Sequence, residues 1–108
     1  MWVLRSSAGP DADTPVFVFR VRPGNTKTVG RARRVDFVVD APLVSRVHCR
    51  LEASRSGQLE VQDLGSTNGT FVNGRRVQHA LLAPGDRLRV GRVELTITKE
   101  TGTGPANV

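Results

Sequence analysis

Apolar and polar residues alternate along several short stretches of this chain. Residues 47–53, 59–62 and 93–98 each place apolar side chains at every second position, with polar residues between them. A period of two residues is typical of a β-strand with one buried face. Residues 15–22 are different, because β-branched and aromatic side chains occupy both faces, which predicts a central strand.

Glycine and proline interrupt these stretches at short intervals. The interruptions are Gly9-Pro10, Pro23-Gly24, Ser56-Gly57, Gly74 and Pro84-Gly85. No segment keeps a helical period over three turns, and no internal repeat is visible. Several short strands separated by frequent turns predict an all-β fold, either a sandwich or a barrel.

The length of 108 residues corresponds to one domain with a single core. Residues 6–13 are expected to form a loop between the first two strands. We assign residues 1–99 to the domain and residues 100–108, which are polar and rich in glycine, to a flexible tail or the start of a linker. The N-terminus lacks the pattern of a signal peptide.

The chain carries a formal net charge of +6, nearly all of it from arginine. A basic domain attracts partners that bear phosphate, such as nucleic acid, acidic lipid or phosphorylated protein. A GC-rich genome also favours arginine codons, which accounts for part of the total. Only 5% of the residues are aromatic, and no basic run is interleaved with aromatic residues for base stacking.

The chemistry of the sequence is sparse outside the basic residues. The single Cys49 allows no internal disulfide and fits a reducing compartment, so we expect an intracellular location, cytoplasmic or, in a eukaryote, nuclear. No apolar run is long enough to span a bilayer, and we expect no membrane partner. Neither a metal site, a cofactor site nor a paired-carboxylate active site is predicted, so an enzyme is the least favoured class.

Residues 63–74, which read Asp-Leu-Gly-Ser-Thr-Asn-Gly-Thr-Phe-Val-Asn-Gly, are the most informative stretch. Asparagine and glycine tolerate the positive φ of tight turns, so each of its two Asn-Gly pairs predicts a sharp reversal of the chain. The polar side chains of Ser66, Thr67 and Asn68 cannot all pair within so short a turn. We therefore expect some of them to face outward as hydrogen-bond donors.

This stretch, read together with Gly30-Arg31 and the Ser45-x-x-His48 motif upstream, resembles a forkhead-associated (FHA) domain. The resemblance covers roughly residues 1–99, and the motifs fall in the family's order. It implies a two-sheet β-sandwich whose loops at one end bind phosphothreonine peptides. FHA domains are known phospho-readers that use arginine.

The resemblance also implies roles for individual residues. Those expected to bind the phosphopeptide are Arg31, Ser45, Arg46, Thr67 and Asn68. Those expected to maintain the structure of the loops are Gly30, His48, Gly69 and Asn73. A phosphothreonine presents three acceptor oxygens and about −1.5 to −2 charges, which a guanidinium and short hydroxyl or amide donors match.

The expected function is therefore phosphorylation-dependent protein–protein interaction in signalling, by a monomer that binds a phosphothreonine-containing protein. Two alternatives remain at this point. One is a basic β-domain that binds nucleic acid, although no specific nucleic-acid partner is expected. The other is a phosphate-independent scaffold with the same fold, against which the presence of Arg31, Ser45 and Thr67 argues.

Overall fold

A computed structural model describes residues 1–7 and 16–100, and these form eleven strands and no helix. The strands are β1 Trp2–Ser6, β2 Val18–Val21, β3 Thr26–Gly30, β4 Phe37–Val38, β5 Cys49–Ala53, β6 Leu59–Asp63, β7 Thr70–Val72, β8 Arg75–Val77, β9 His79–Leu82, β10 Arg87–Val90 and β11 Val93–Lys99. The predicted tail at residues 100–108, except Glu100, and most of the predicted loop at residues 6–13 lie outside the described residues.

The strands form two sheets. Sheet A has six strands in the order β2-β1-β11-β10-β7-β8, and sheet B has five in the order β4-β3-β5-β6-β9. All pairs are antiparallel except β3 with β4. The all-β prediction is confirmed, and the two sheets resolve the choice between sandwich and barrel in favour of the sandwich.

The core lies between the two sheets and follows the predicted alternation. In β5, Cys49, Leu51 and Ala53 are buried, whereas Glu52 between them is exposed. The same pattern buries alternate residues of β6 and β11. Burying one aliphatic side chain contributes about 1.5–3 kcal/mol, so this interlayer is the main source of stability.

The prediction of a central strand at residues 15–22 is wrong. Within the described residues β2 pairs only with β1 and lies at the edge of sheet A. Phe19 of β2 stacks on Phe37 of β4, the edge strand of sheet B, with ring centroids 4.5 Å apart. The aromatic residues thus close one side of the sandwich between two edge strands. For this reason β2 has the composition expected of a central strand although it lies at an edge.

The two predicted Asn-Gly turns differ in structure. Asn73 and Gly74 both have positive φ, 51° and 82°, as in the tight hairpin that joins β7 to β8. The Asn73 side chain donates to Asp86 and accepts from the backbone N–H of Arg87, so it ties this hairpin to the turn before β10. Of the other pair, only Gly69 has positive φ, and it ends a loop rather than a hairpin.

Candidate functional site

Three loops meet at one end of the sandwich around a depression of about 900 Å³. They follow β3, precede β5 and precede β7. All five residues predicted to bind a phosphopeptide line this depression. The lining residues are Arg31, Asp40, Ala41, Pro42, Leu43, Val44, Ser45, Arg46, Val47, Gly65, Thr67 and Asn68.

Gly30 brings two of these loops into direct backbone contact. It is buried, and a Cβ atom added there would collide with the carbonyl oxygen of Arg46. The close approach allows the backbone N–H of Arg31 to donate to the carbonyl oxygen of Ser45 at 2.9 Å. A side chain at position 30 is therefore incompatible with the loop arrangement, which explains the glycine physically.

The Arg31 side chain is held by the neighbouring loop that precedes β5. Its Nε donates to the carbonyl oxygen of Val44 at 3.1 Å. Within the described residues, its two terminal amino groups make no hydrogen bond, and the side chain is exposed to solvent. This arrangement orients the guanidinium fork while it leaves four N–H donors available to an anion.

Ser45 and Thr67 connect the second and third loops. The backbone N–H of Thr67 donates to Oγ of Ser45 at 3.0 Å. Oγ is the acceptor in this bond, and within residues 1–7 and 16–100 its hydroxyl hydrogen is donated to no other group, so it is available to a ligand. Asn68 bridges the same loops, since its Nδ2 donates to the carbonyl oxygen of Leu43 at 3.1 Å and leaves its own side-chain oxygen as an acceptor.

His48 lies beneath the site, and its ring links the second and third loops. The backbone N–H of Ser45 donates to Nδ1 at 3.0 Å, so Nε2 must carry the ring proton and donates to the carbonyl oxygen of Gly69 at 2.9 Å. The ring is completely buried. Since Nδ1 already accepts from the backbone, His48 is not arranged as a general base for the Ser45 hydroxyl.

Asp63 is a positioning residue that the sequence interpretation missed. Its carboxylate accepts from the backbone N–H groups of Gly65 and Ser66, from the hydroxyl of Ser66, and from the hydroxyl of Thr70 at 2.7 Å. Burial acts to raise the pKa of Asp63, but the hydrogen bonds from Ser66 and Thr70 outweigh it and hold the pKa below its ordinary value. Ser66 is consequently buried. Of Ser66, Thr67 and Asn68, some of which were expected to face outward, only Thr67 and Asn68 do so.

The spacing of Asp63 and Ser66 in the sequence could have indicated that Asp63 caps this turn. An aspartate at the end of a strand, followed by serine three residues later, is the pattern of a side chain that caps its own turn. The same carboxylate affects Cys49, because burial and then the nearby charge of Asp63 raise the pKa of the thiol to about 12. Cys49 is therefore a protonated core residue near neutral pH and not a nucleophile.

The rim of the depression has one residue with an unusual backbone conformation, and its lining contains more positive than negative side chains. Leu43 has a φ of 71°, a conformation that bulky residues rarely adopt, and its side chain is 47% exposed. Such strained residues concentrate at ligand-binding segments. Arg31 and Arg46 are the cationic lining residues, whereas Asp40 is the single carboxylate among them.

No group of three or more His, Cys, Asp or Glu side chains in residues 1–7 and 16–100 is placed to hold a metal ion. In the same part of the chain, no helix is long and apolar enough to cross a membrane.

Comparison with known proteins identifies relatives of this arrangement. Residues 27–91 match the family model of the FHA domain. The chain is 40% identical over 79 residues to an ABC transporter ATP-binding/permease protein of Mycobacterium tuberculosis, which covers 73% of this chain and 9% of the transporter. It is also 40% identical over 82 residues to the glycogen accumulation regulator GarA of Mycolicibacterium smegmatis, which covers 74% of this chain and 48% of the regulator.

The fold comparison agrees with these relationships. A structure reported in a study of phosphothreonine-dependent FHA domain interactions superposes with a TM-score of 0.75 and 29% identity, over 92% of this chain and 96% of the other. The chain spans less than half the length of the two sequence relatives described here. With the matched model covering more than half of its residues, this chain belongs to the forkhead-associated (FHA) domain family.

Proposed function

We propose that this domain binds phosphothreonine peptides, with the phosphate held by Arg31 and Ser45. The observation that carries the proposal is the unpaired guanidinium fork of Arg31, fixed through its Nε beside a serine hydroxyl whose hydrogen is free. Preorganised donors lose less conformational entropy when they bind an anion. Charge-assisted hydrogen bonds of this kind are roughly twice as strong as neutral ones.

The remaining predicted residues complete the binding surface. Arg46 is exposed on the same rim and supplies a second positive charge to the phosphate. Asn68 retains a side-chain oxygen and one N–H, which suit the backbone of an extended peptide. In the FHA family, the loop that carries Thr67 and Asn68 forms the niche for the threonine methyl group, and since this chain has both residues we expect it to prefer phosphothreonine over phosphoserine.

In the FHA family, the loop just before the Ser-x-x-His motif helps to select the residue three places after the phosphothreonine, and in this chain that loop is residues 41–44. This loop is apolar and uncharged, and its exposed Leu43 projects from a backbone held by Asn68. An aliphatic residue at that peptide position fits this surface better than an acidic one. The preference belongs to the same proposal, because it depends on where the phosphate binds.

The biological role that follows is phosphorylation-dependent protein–protein interaction in signalling. The domain acts as a monomeric, cofactor-free binding module rather than an enzyme, in an intracellular compartment. GarA, one of its relatives, is a regulator of glycogen accumulation, and the FHA structure with a TM-score of 0.75 comes from work on phosphothreonine-dependent interactions. Both support a regulatory binding role.

Fluorescence anisotropy with one peptide made in three forms tests the proposal. The peptide carries phosphothreonine, phosphoserine or unmodified threonine at the same position. Burial of one methyl group contributes about 0.8 kcal/mol, so a preference for phosphothreonine larger than about fourfold requires that the methyl also keeps the phosphate in register. We expect at least a tenfold preference over phosphoserine and no measurable binding of the unmodified peptide.

The same assay separates the alternatives. Equal affinity for the phosphoserine and phosphothreonine peptides would indicate a generic anion site. Binding of the unmodified peptide with undiminished affinity would indicate a phosphate-independent scaffold. An oligonucleotide that binds tightly at physiological salt would favour the nucleic-acid alternative, because purely electrostatic binding falls steeply with salt.

A further inference from the structure

The outer face of sheet A carries a cluster of six charged side chains outside the binding loops. Strand pairing places residues from five strands on this face, since residues opposite each other in a sheet point to the same side. Five of them are arginines and one is a glutamate. The arginines are Arg5, Arg20, Arg76, Arg87 and Arg89, and the glutamate is Glu94.

The row of this face nearest to the binding loops is partly ordered before any ligand arrives. Phe71 of β7 lies between Arg89 of β10 on one side and Arg76 of β8 on the other. The Arg89 guanidinium carbon lies 4.3 Å from the centroid of the Phe71 ring, so the ring holds this cation against the sheet. The Arg76 side chain passes over Gly69 at the end of the third binding loop.

These arginines are not neutralised by their neighbours. Among residues 1–7 and 16–100, no carboxylate oxygen lies within 4.0 Å of any of the five guanidinium groups, and Glu94 opposite Arg89 makes no ion pair with it. The outer face of sheet B is different. There Glu60 pairs with His79 at 3.2 Å, and Arg50 donates to Gln62.

Arg76 and Arg89, which we call the arginine row, lie within reach of a peptide bound at the loops. Phe71 follows Asn68 by three residues, so their Cα atoms are at most about 11 Å apart. Arg76 and Arg89 lie one strand spacing, about 4.8 Å, to either side of Phe71. An extended peptide advances about 3.3 Å per residue, so a flanking segment of four or five residues reaches the row.

We propose that Arg76 and Arg89, with Arg87 in the next row, bind an acidic segment that flanks the phosphothreonine in the partner protein. The inference rests on the proposed function, which tethers the segment and raises its local concentration at the arginine row. A peptide is favoured over nucleic acid because Phe71 is the one aromatic residue in this row, and Arg89 already covers one face of its ring. The partner is thus a phosphoprotein with clustered aspartate, glutamate or further phosphate beside the recognised threonine.

The test measures the affinity of the domain for four peptides by fluorescence anisotropy at physiological salt. One has a phosphothreonine with neutral flanks, one adds five acidic residues on its C-terminal side starting four places after the phosphothreonine, and one adds them on its N-terminal side. The fourth has both acidic flanks but unmodified threonine. We expect one acidic flank to tighten binding about fivefold, the combined effect of two or three exposed charge pairs.

The variant Arg76→Gln/Arg89→Gln is expected to remove that gain and to bind the neutral-flank phosphopeptide like the parent. Its matched control is Arg5→Gln/Arg20→Gln, which removes the same charge from the far end of the same face and should keep most of the gain. Failure of the parent to bind the neutral-flank phosphopeptide would contradict the proposed function itself. If that peptide binds but neither acidic flank tightens it, or both double variants lose the gain equally, the arginine row is not the binding surface.

A duplex oligonucleotide serves as the competing polyanion in the same assay. We expect it to bind more weakly than the acidic-flank phosphopeptide at physiological salt. Tighter binding of the duplex, abolished in Arg76→Gln/Arg89→Gln, would assign this face to nucleic acid and overturn the acidic-peptide proposal.

Discussion

Replacement of Asp63 by asparagine tests whether one buried carboxylate maintains the third binding loop. The carboxylate accepts four hydrogen bonds, two from backbone N–H groups and two from the hydroxyls of Ser66 and Thr70. An asparagine retains one oxygen, and its amide group would face two of those donors. A hydrogen bond to a charged group contributes about 1.5–3 kcal/mol, so after relaxation we expect Asp63→Asn to lower the free energy of unfolding by about 3 kcal/mol.

The pH dependence gives a second, independent readout of the same carboxylate. The pKa of Asp63 in the folded state is below its ordinary value, whereas in the unfolded chain it is about 3.9. The stabilisation is therefore fully present above about pH 4 and is lost as the pH falls through the lower, folded-state pKa. Asp36 has a lowered pKa for a similar reason, chiefly the hydrogen bond from the Thr28 backbone, so Asp63→Asn should weaken the acid dependence without removing it.

Thermal and urea unfolding followed by the fluorescence of Trp2, the single tryptophan, measures both effects. For a domain of this size, a loss of about 3 kcal/mol lowers Tm by about 12–24 °C. Asp40→Asn is the control, because this exposed carboxylate should change the stability by less than about 0.5 kcal/mol. Two results would contradict this role of Asp63. One is a free energy of unfolding of Asp63→Asn equal to that of the parent at pH 7. The other is a loss of stability on acidification as steep as that of the parent.

Three further predictions concern the residues beneath the site. Gly30→Ala should lower the free energy of unfolding by about 2–4 kcal/mol, because its Cβ collides with the Arg46 carbonyl; a urea midpoint equal to that of the parent would contradict this contact. His48→Ala should cost about 3 kcal/mol and weaken phosphopeptide binding, since it removes the link between both loops; a variant that is as stable as the parent but cannot bind would show a direct ligand role instead. Cys49 should resist a thiol reagent at neutral pH until urea unfolds the domain, and rapid labelling of the folded protein would contradict its burial and its raised pKa.

The sequence predicted the fold well where local physics determines it. Alternation in residues 47–53 and 93–98 reflects one buried face, and each stretch contains a strand with that pattern. The tight hairpin at Asn73-Gly74 follows from the positive φ that these residues tolerate. Residues 15–22 misled the interpretation, because the composition of a strand reports burial and not its position in the sheet.

The candidate site was predicted in part, for a related reason. The resemblance to FHA domains selected Arg31, Ser45 and Thr67, and the structure brings them into one depression. The residues that hold the loops from below are determined by tertiary contacts, as the bonds of Asp63 to Thr70 and of His48 to Gly69 illustrate. The sequence did not reveal the arginine row on sheet A either, because Arg76 and Arg89 come from two strands, β8 and β10, that only the fold brings to the two sides of β7.

Calorimetric titration of one phosphothreonine peptide into the parent and into Arg31→Ala is the most direct test of whether Arg31 binds the phosphate. Arg33→Ala, which removes an equal charge from a neighbouring exposed position outside the depression, serves as the control. We expect Arg31→Ala to remain folded and to bind at least about tenfold more weakly, because charge-assisted hydrogen bonds are lost, while Arg33→Ala binds nearly as well as the parent. Equal affinity of Arg31→Ala and the parent would contradict the assignment of the phosphate site.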